Sequence, residues 1–123
     1  MYSAQLLDHF QNPRHVGELA PPAIVVEVTN PACGDIMRLS VRFEGDCVAE
    51  VGYKTRGCTA SIAIGSAMAE WMMGRTRAEL RAVKGPDLEE AVGGLPPESR
   101  HAAVLCLDAI MAILRSDPGY PMK

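Results

Sequence analysis

The residues best suited to chemistry in this chain are its cysteines, and two of the four stand where a thiol would sit at an element boundary. Cys33 follows Pro31 and precedes Gly34-Asp35, just ahead of an alternating apolar segment. Cys58 follows Gly57 at the mouth of a run rich in Ala, Ile and Met that reads as a helix. A helix N-terminus offers unpaired amide hydrogens and the positive end of the peptide dipole, a setting that favours an anion such as a thiolate. Gly34 lets the chain turn tightly, so that Cys33 and Asp35 can converge on one ion. His101 stands near the start of the last predicted helix. Two sulfurs, one carboxylate and one imidazole complete a four-coordinate set for zinc or for a cluster.

Competing readings exist for each of these residues. Cys33 and Cys58 lie 25 residues apart with no CxxC motif, and a free cysteine is often a small core residue. Their glycine neighbours weigh toward metal or thiol chemistry. Asp35 alone reads as a turn-capping carboxylate, and His101 alone as a solvent-facing residue at a helix start. Cys47 shares its parity with Ala49 and Val51, which assigns it to the core. Cys106 lies on the apolar stripe of the last helix, where burial is the default, although its place one turn beyond Ala102 keeps a metal-ligating reading open. A nucleophilic Cys58–His101 pair oriented by Asp35 is a further chemistry, with no recognisable oxyanion or substrate pocket beside it. Gly65 and Gly74 form no phosphate loop, and no dinucleotide fingerprint follows a strand.

The elements that must position these side chains are legible from periodicity. Tyr2 to Gln11 reads as a short amphipathic helix with Ser3 at its N-cap and Asn12-Pro13 closing it. Ile24, Val26 and Val28 alternate with more polar neighbours. Met37, Leu39, Val41 and Phe43 alternate with Arg38, Ser40, Arg42 and Glu44, a strand with one wet face. Gly45-Asp46 is a hairpin turn, and alternation resumes from Cys47 to Tyr53. The period then changes to 3.6. A helix is expected from Thr59 to Met73, a second from Thr76 to Val83 with a Thr76–Glu79 capping box, and a turn or two from Asp87 to Val92. Leu95-Pro96-Pro97 is extended, Ser99 caps the last helix, and the tail from Asp117 frays. Trp71 anchors against the sheet or a partner. Strands followed by helices predict one α+β domain over residues 1–123, a three-stranded antiparallel sheet with helices packed on one face.

Composition sets the bounds. The chain has 123 residues, 48% hydrophobic and 22% charged, enough for one buried core and too few for two domains. Twelve Lys and Arg against fifteen Asp and Glu leave a net charge of −3, which excludes a generally basic nucleic-acid binder. No apolar stretch is long enough for a bilayer, the best one meeting Asp108 soon after Ala102. The amino terminus has no basic run before an apolar segment, so the cytosol is the expected compartment, where four cysteines point to metal or thiol chemistry before disulfides.

At these residues the chain resembles the scaffold proteins of iron–sulfur cluster assembly, the IscU/NifU N-terminal/SufU type. The resemblance begins at Tyr2-Ser3, Leu7-Asp8-His9-Phe10 and Asn12-Pro13-Arg14-His15-Val16-Gly17, and continues at Pro31-Ala32-Cys33-Gly34-Asp35. It resumes at Gly57-Cys58, Glu70-Trp71 and Gly74, then at Leu95-Pro96-Pro97, His101 and Asp108-Ala109-Ile110, covering almost the whole chain. The resemblance implies a non-enzymatic carrier on which a [2Fe–2S] cluster is built from sulfur supplied by a cysteine desulfurase and then handed to acceptor apo-proteins. It implies Cys33, Asp35 and Cys58 as ligands, with His101 matching the histidine beside the family's third cysteine, and zinc as another occupant of the same site. A carboxylate among thiolates is a poorer cluster ligand and can let the cargo go.

The chain departs from that family at two places. The third cysteine expected directly after His101 is Ala102 here, and Cys106 lies four residues on, roughly 6 Å along the helix axis. The chaperone-binding Leu-Pro-Pro-Val-Lys segment reads Leu95-Pro96-Pro97-Glu98-Ser99, so the resemblance does not carry delivery through that chaperone. Ala102 motivates the alternative of a zinc-binding accessory or regulatory partner of a cysteine desulfurase that has lost cluster assembly.

Overall fold

The computed structural model describes residues 2–31 and 34–117. Three strands, β1 (Ile24–Thr29), β2 (Ile36–Glu44) and β3 (Cys47–Arg56), form one antiparallel sheet in the order β1-β2-β3. The helices are α1 (Ala4–Gln11), α2 (Thr59–Met72), α3 (Arg77–Ala82), α4 (Gly85–Ala91) and α5 (His101–Ser116), with a 3-10 turn at Pro97–Ser99. This is the α+β architecture that the periodicity predicts. Among the described residues no helix is long and apolar enough to cross a membrane.

The core lies between the sheet and helices α2 and α5. Met37, Leu39, Val41, Val51 and Tyr53 point from the sheet into Ala63, Ile64 and Met68 of α2 and Leu105, Ala109 and Ile113 of α5, all buried. Helix α2 comes close because Gly65 faces Tyr53: a Cβ there would stand 2.7 Å from the ring. Burial pushes the Tyr53 phenol up to about 12, and its hydroxyl donates to the Ile62 carbonyl at 2.9 Å. Helix α1 is docked on α2 through a polar knot. Ser66 Oγ accepts from the Arg14 backbone N–H and donates to His9 Nδ1, both at 2.8 Å. The Arg14 guanidinium donates to the same Nδ1 at 3.1 Å and to Asp8 at 2.7 Å. Because Nδ1 accepts, the His9 proton sits on Nε2, which faces Glu70 at 3.9 Å.

Several local expectations are corrected. Cys47 is exposed. A β-bulge breaks the register after Arg42, pairing Arg42 with Glu50 but Phe43 with Val48, so Ala49 is the extra residue and parity reverses across it. Val48 therefore turns inward in place of Cys47. Ser40, read as part of a wet face, is buried: it pairs with Gly52 across the strands and accepts from the Leu19 N–H at 3.0 Å. Residues 15–19 cross the sheet there, and Gly17 and His15 bond the backbone of Tyr53 along the outer edge of β3. Arg75 and Gly74 bond Val48 on the same edge, which leaves little of it open to pairing. Ser99 does not cap α5; Arg100 holds the cap position without a side-chain bond, and Ser99 is buried in the 3-10 turn that Pro97 begins. Asp117 is buried and paired with Arg77, while the rest of the predicted frayed tail lies outside the described residues.

The other two capping readings agree with the structure. Ser3 accepts from the Leu6 N–H, and Thr76 and Glu79 form a reciprocal capping box on α3. Trp71 is half-buried against the core and carries the Arg75 guanidinium 4.4 Å above its ring. Met68 and Met72 are core residues, and Met73 is exposed.

Candidate metal centre

The sheet register decides what meets at one end of the molecule. Ile36 pairs with Arg56, the last residue of β3. The residue before β2, Asp35, is therefore brought beside Gly57 and Cys58, which lead into α2. The loop between β1 and β2 is closed by the Gly34 N–H to Asn30 carbonyl bond at 2.7 Å and the Asn30 N–H to Asp35 carbonyl bond at 2.8 Å. Gly34 holds φ +76°, a left-handed conformation that suits glycine. The Asp35 side chain packs onto the bare face of Gly57, where a Cβ would come within 2.5 Å of its carboxyl carbon. Cys58 is the N-cap residue of α2, yet its sulfur makes no capping bond. It points instead toward Asp35 and His101, the first residue of α5.

The three side chains form a nearly equilateral triangle. Cys58 Sγ is 3.6 Å from Asp35 Oδ2 and 3.6 Å from His101 Nε2, and His101 Nε2 is 3.7 Å from Asp35 Oδ2. With metal–sulfur bonds near 2.3 Å and metal–nitrogen or metal–oxygen bonds near 2.1 Å, the ligands of a tetrahedral ion stand roughly 3.4–3.6 Å apart. The triangle is thus already close to the size that an ion requires. Asp35 is buried, with 6% exposure, whereas Cys58 is half-buried and the His101 side chain 31% exposed. Asp35 is thus the most buried vertex of the triangle.

The imidazole is set for coordination. His101 Nδ1 lies 3.2 Å from the Glu98 carbonyl, which can only accept, so Nδ1 carries the hydrogen and Nε2 presents its lone pair to the triangle. The 3-10 turn that follows Leu95-Pro96 supplies that carbonyl. Soft sulfur, imidazole and carboxylate suit zinc or iron, and the donor set fits such a cargo.

Three of the residues singled out from sequence, Asp35, Cys58 and His101, are brought together. Cys33 lies outside the described residues. Cys106 is not in this group: it is fully buried on α5, and burial pushes its thiol up, away from the thiolate that a metal ligand must provide. Its helical stripe faces the core, as does Ala102, which is also fully buried. Sequence reasoning passed over Ser61. This residue is fully buried, donates to Asp35 Oδ2 at 2.5 Å and lies 3.3 Å from Cys58 Sγ. Its position three residues after the N-cap, where a side chain can reach back toward the cap, was the available signal.

Comparison with known proteins shows the family to which the chain belongs. Residues 1–120 match the family model of the NifU-like N terminal domain. The chain is 41% identical to the iron–sulfur cluster assembly scaffold protein IscU of Azotobacter vinelandii over 118 residues, covering 93% of this chain and 91% of that protein. It is 43% identical over 111 residues, 89% of this chain, to the bifunctional protein NifU/MnmA of Rubrobacter xylanophilus, and spans 23% of that longer protein. Among solved structures, the N-terminal NifU-like protein of Brucella abortus shares the fold, with a TM-score of 0.63, 24% identity and coverage of 89% of this chain and 77% of that one. The chain belongs to the family of NifU-like N-terminal domains.

Proposed function

We propose that this protein is a non-catalytic scaffold on which a [2Fe–2S] cluster is assembled and from which it passes to acceptor apo-proteins, with Cys33, Asp35, Cys58 and His101 as its ligands. The observation that carries this reading is the Asp35–Cys58–His101 triangle, whose edges match those of a four-coordinate ion and whose Cys58 and His101 vertices are partly exposed. The scaffold role of the IscU relative and the match to the NifU-like family support the same assignment. Sulfur would come from a cysteine desulfurase. The carboxylate gives the site one weaker ligand among softer ones, which favours hand-over above permanent storage. Anaerobic reconstitution with ferrous iron and a desulfurase generating sulfide tests this. The wild-type chain should develop the visible absorption of a [2Fe–2S] cluster, and Cys58→Ala and Cys33→Ala should not. Cluster formation unchanged in both variants would remove the site.

A second reading has one observation in its favour. Ala102, where the resemblance leads one to expect a third cysteine, is buried in the core, and so is Cys106. A site short of one thiolate suits a zinc-binding partner of a desulfurase. Under that reading, reconstitution yields no cluster, while zinc binds with the same dependence on Cys58 and Asp35.

A further inference from the structure

Ser61 is placed where a side chain can act on the centre without holding the cargo. It lies in the first turn of α2, three residues past Cys58, and is wholly buried. Its hydroxyl donates to Asp35 Oδ2 at 2.5 Å, and this oxygen is the vertex that faces both Cys58 Sγ and His101 Nε2. Asp35 is itself buried, so its carboxylate depends on donors within the protein to offset lost hydration. Any cation that enters the triangle must share the electrons of Oδ2 with that proton. The hydrogen bond is therefore at full strength in the empty site and weaker in the loaded one. The same hydroxyl lies 3.3 Å from Cys58 Sγ and can turn its proton to the thiolate, which lowers the donor strength of a second ligand.

We infer that Ser61 is a positioning residue that loosens the grip of Asp35 and Cys58 on the bound metal or cluster and so promotes its release. This rests on the assignment of Asp35 and Cys58 as ligands. The sign of the effect separates it from a merely structural role: a packing or orienting residue strengthens binding, and its removal weakens the site, whereas removal of this hydroxyl should tighten it.

The test is a titration of the full chain with Co2+, read from thiolate-to-cobalt absorption, followed by release into excess chelator in a stopped-flow mixer. Wild type, Ser61→Ala and Asp35→Ala are compared, with thermal unfolding of each metal-free protein to check folding. Ser61→Ala should bind Co2+ about tenfold more tightly and release it about tenfold more slowly, the size expected when one hydrogen bond to a buried carboxylate is strong in the free state and weakened in the bound one. Affinity in Ser61→Ala equal to or below that of wild type overturns this inference and leaves the ligand assignment standing. A wild-type chain that binds no Co2+, or an Asp35→Ala chain that binds as wild type does, overturns the ligand assignment and this inference with it.

Discussion

Gly57 shows how much of the centre depends on a missing side chain. Asp35 rests against its Cα, and a methyl group there would fall 2.5 Å from the carboxyl carbon and 2.8 Å from each carboxylate oxygen. The atoms that must give way are the end of one side chain, so Gly57→Ala should swing Asp35 out of the triangle with little effect on the fold. Metal affinity is expected to fall at least about tenfold while the thermal midpoint stays within a few degrees, checked by zinc titration and calorimetry. Cys106 should behave in the opposite way. Its thiol is a core group with no place in the triangle, so Cys106→Ala is expected to cost about 1 kcal/mol in denaturant unfolding and to leave metal stoichiometry unchanged. Asp35, Cys58 and His101 were legible as candidates because each sits beside a turn or helix start. Ser61 was less so, because an N-terminal helix serine reads first as a local capping residue, and only the Asp35 carboxylate, 26 residues away in sequence, gives it a role.

At the scale of elements, the sheet edge and its crossing segment set the frame that holds β3, and thus Cys58, in place. Gly52 stands where residues 15–19 pass over the sheet, and a Cβ would come 2.7 Å from the Gly17 carbonyl oxygen and 2.9 Å from Ser40 Oγ. Backbone cannot move aside as a side-chain end can. Gly52→Ala should therefore unseat that segment and its bonds to Tyr53, at about 1–3 kcal/mol by urea unfolding. The strands themselves were readable because alternation over β2 and β3 is regular, and both capping residues follow from short-range chemistry. The error at Cys47 has a definite cause. One extra residue at Ala49 reverses parity, and a bulge leaves no mark in an apolar–polar pattern of only a few residues.

For the whole molecule, the knot of His9, Arg14, Ser66, Asp8 and Glu70 joins α1 to the body of the fold. Burial, reinforced by the Arg14 charge, holds His9 below its ordinary value of about 6.5 despite the opposing carboxylates of Glu70 and Asp8. The unfolded chain therefore takes up a proton more readily than the folded one. The contribution is fully present above about pH 6.5 and is lost as the pH falls through that value and then through the lower folded one. The thermal midpoint is expected to decline between about pH 7 and pH 5, and His9→Gln should flatten that decline by the part due to this ring. A slope unchanged in the variant would assign the dependence to other groups.

Periodicity, caps and turn residues determined three antiparallel strands, a long small-residue helix and a final amphipathic helix, because these depend on contacts within a few residues. They also placed Cys58 and His101 at helix starts and Asp35 beside a glycine turn. Only the tertiary structure decided that the Ile36–Arg56 register and the packing of α5 bring these three ends to one pocket at ligand spacing. It alone seated Ser61 behind the carboxylate, and for Cys106 it decided between the burial that the apolar stripe predicts and the ligating reading left open. Distances between residues dozens of positions apart arise from how elements pack, and one residue's shift in register or a partial turn of a helix changes them without altering any local pattern.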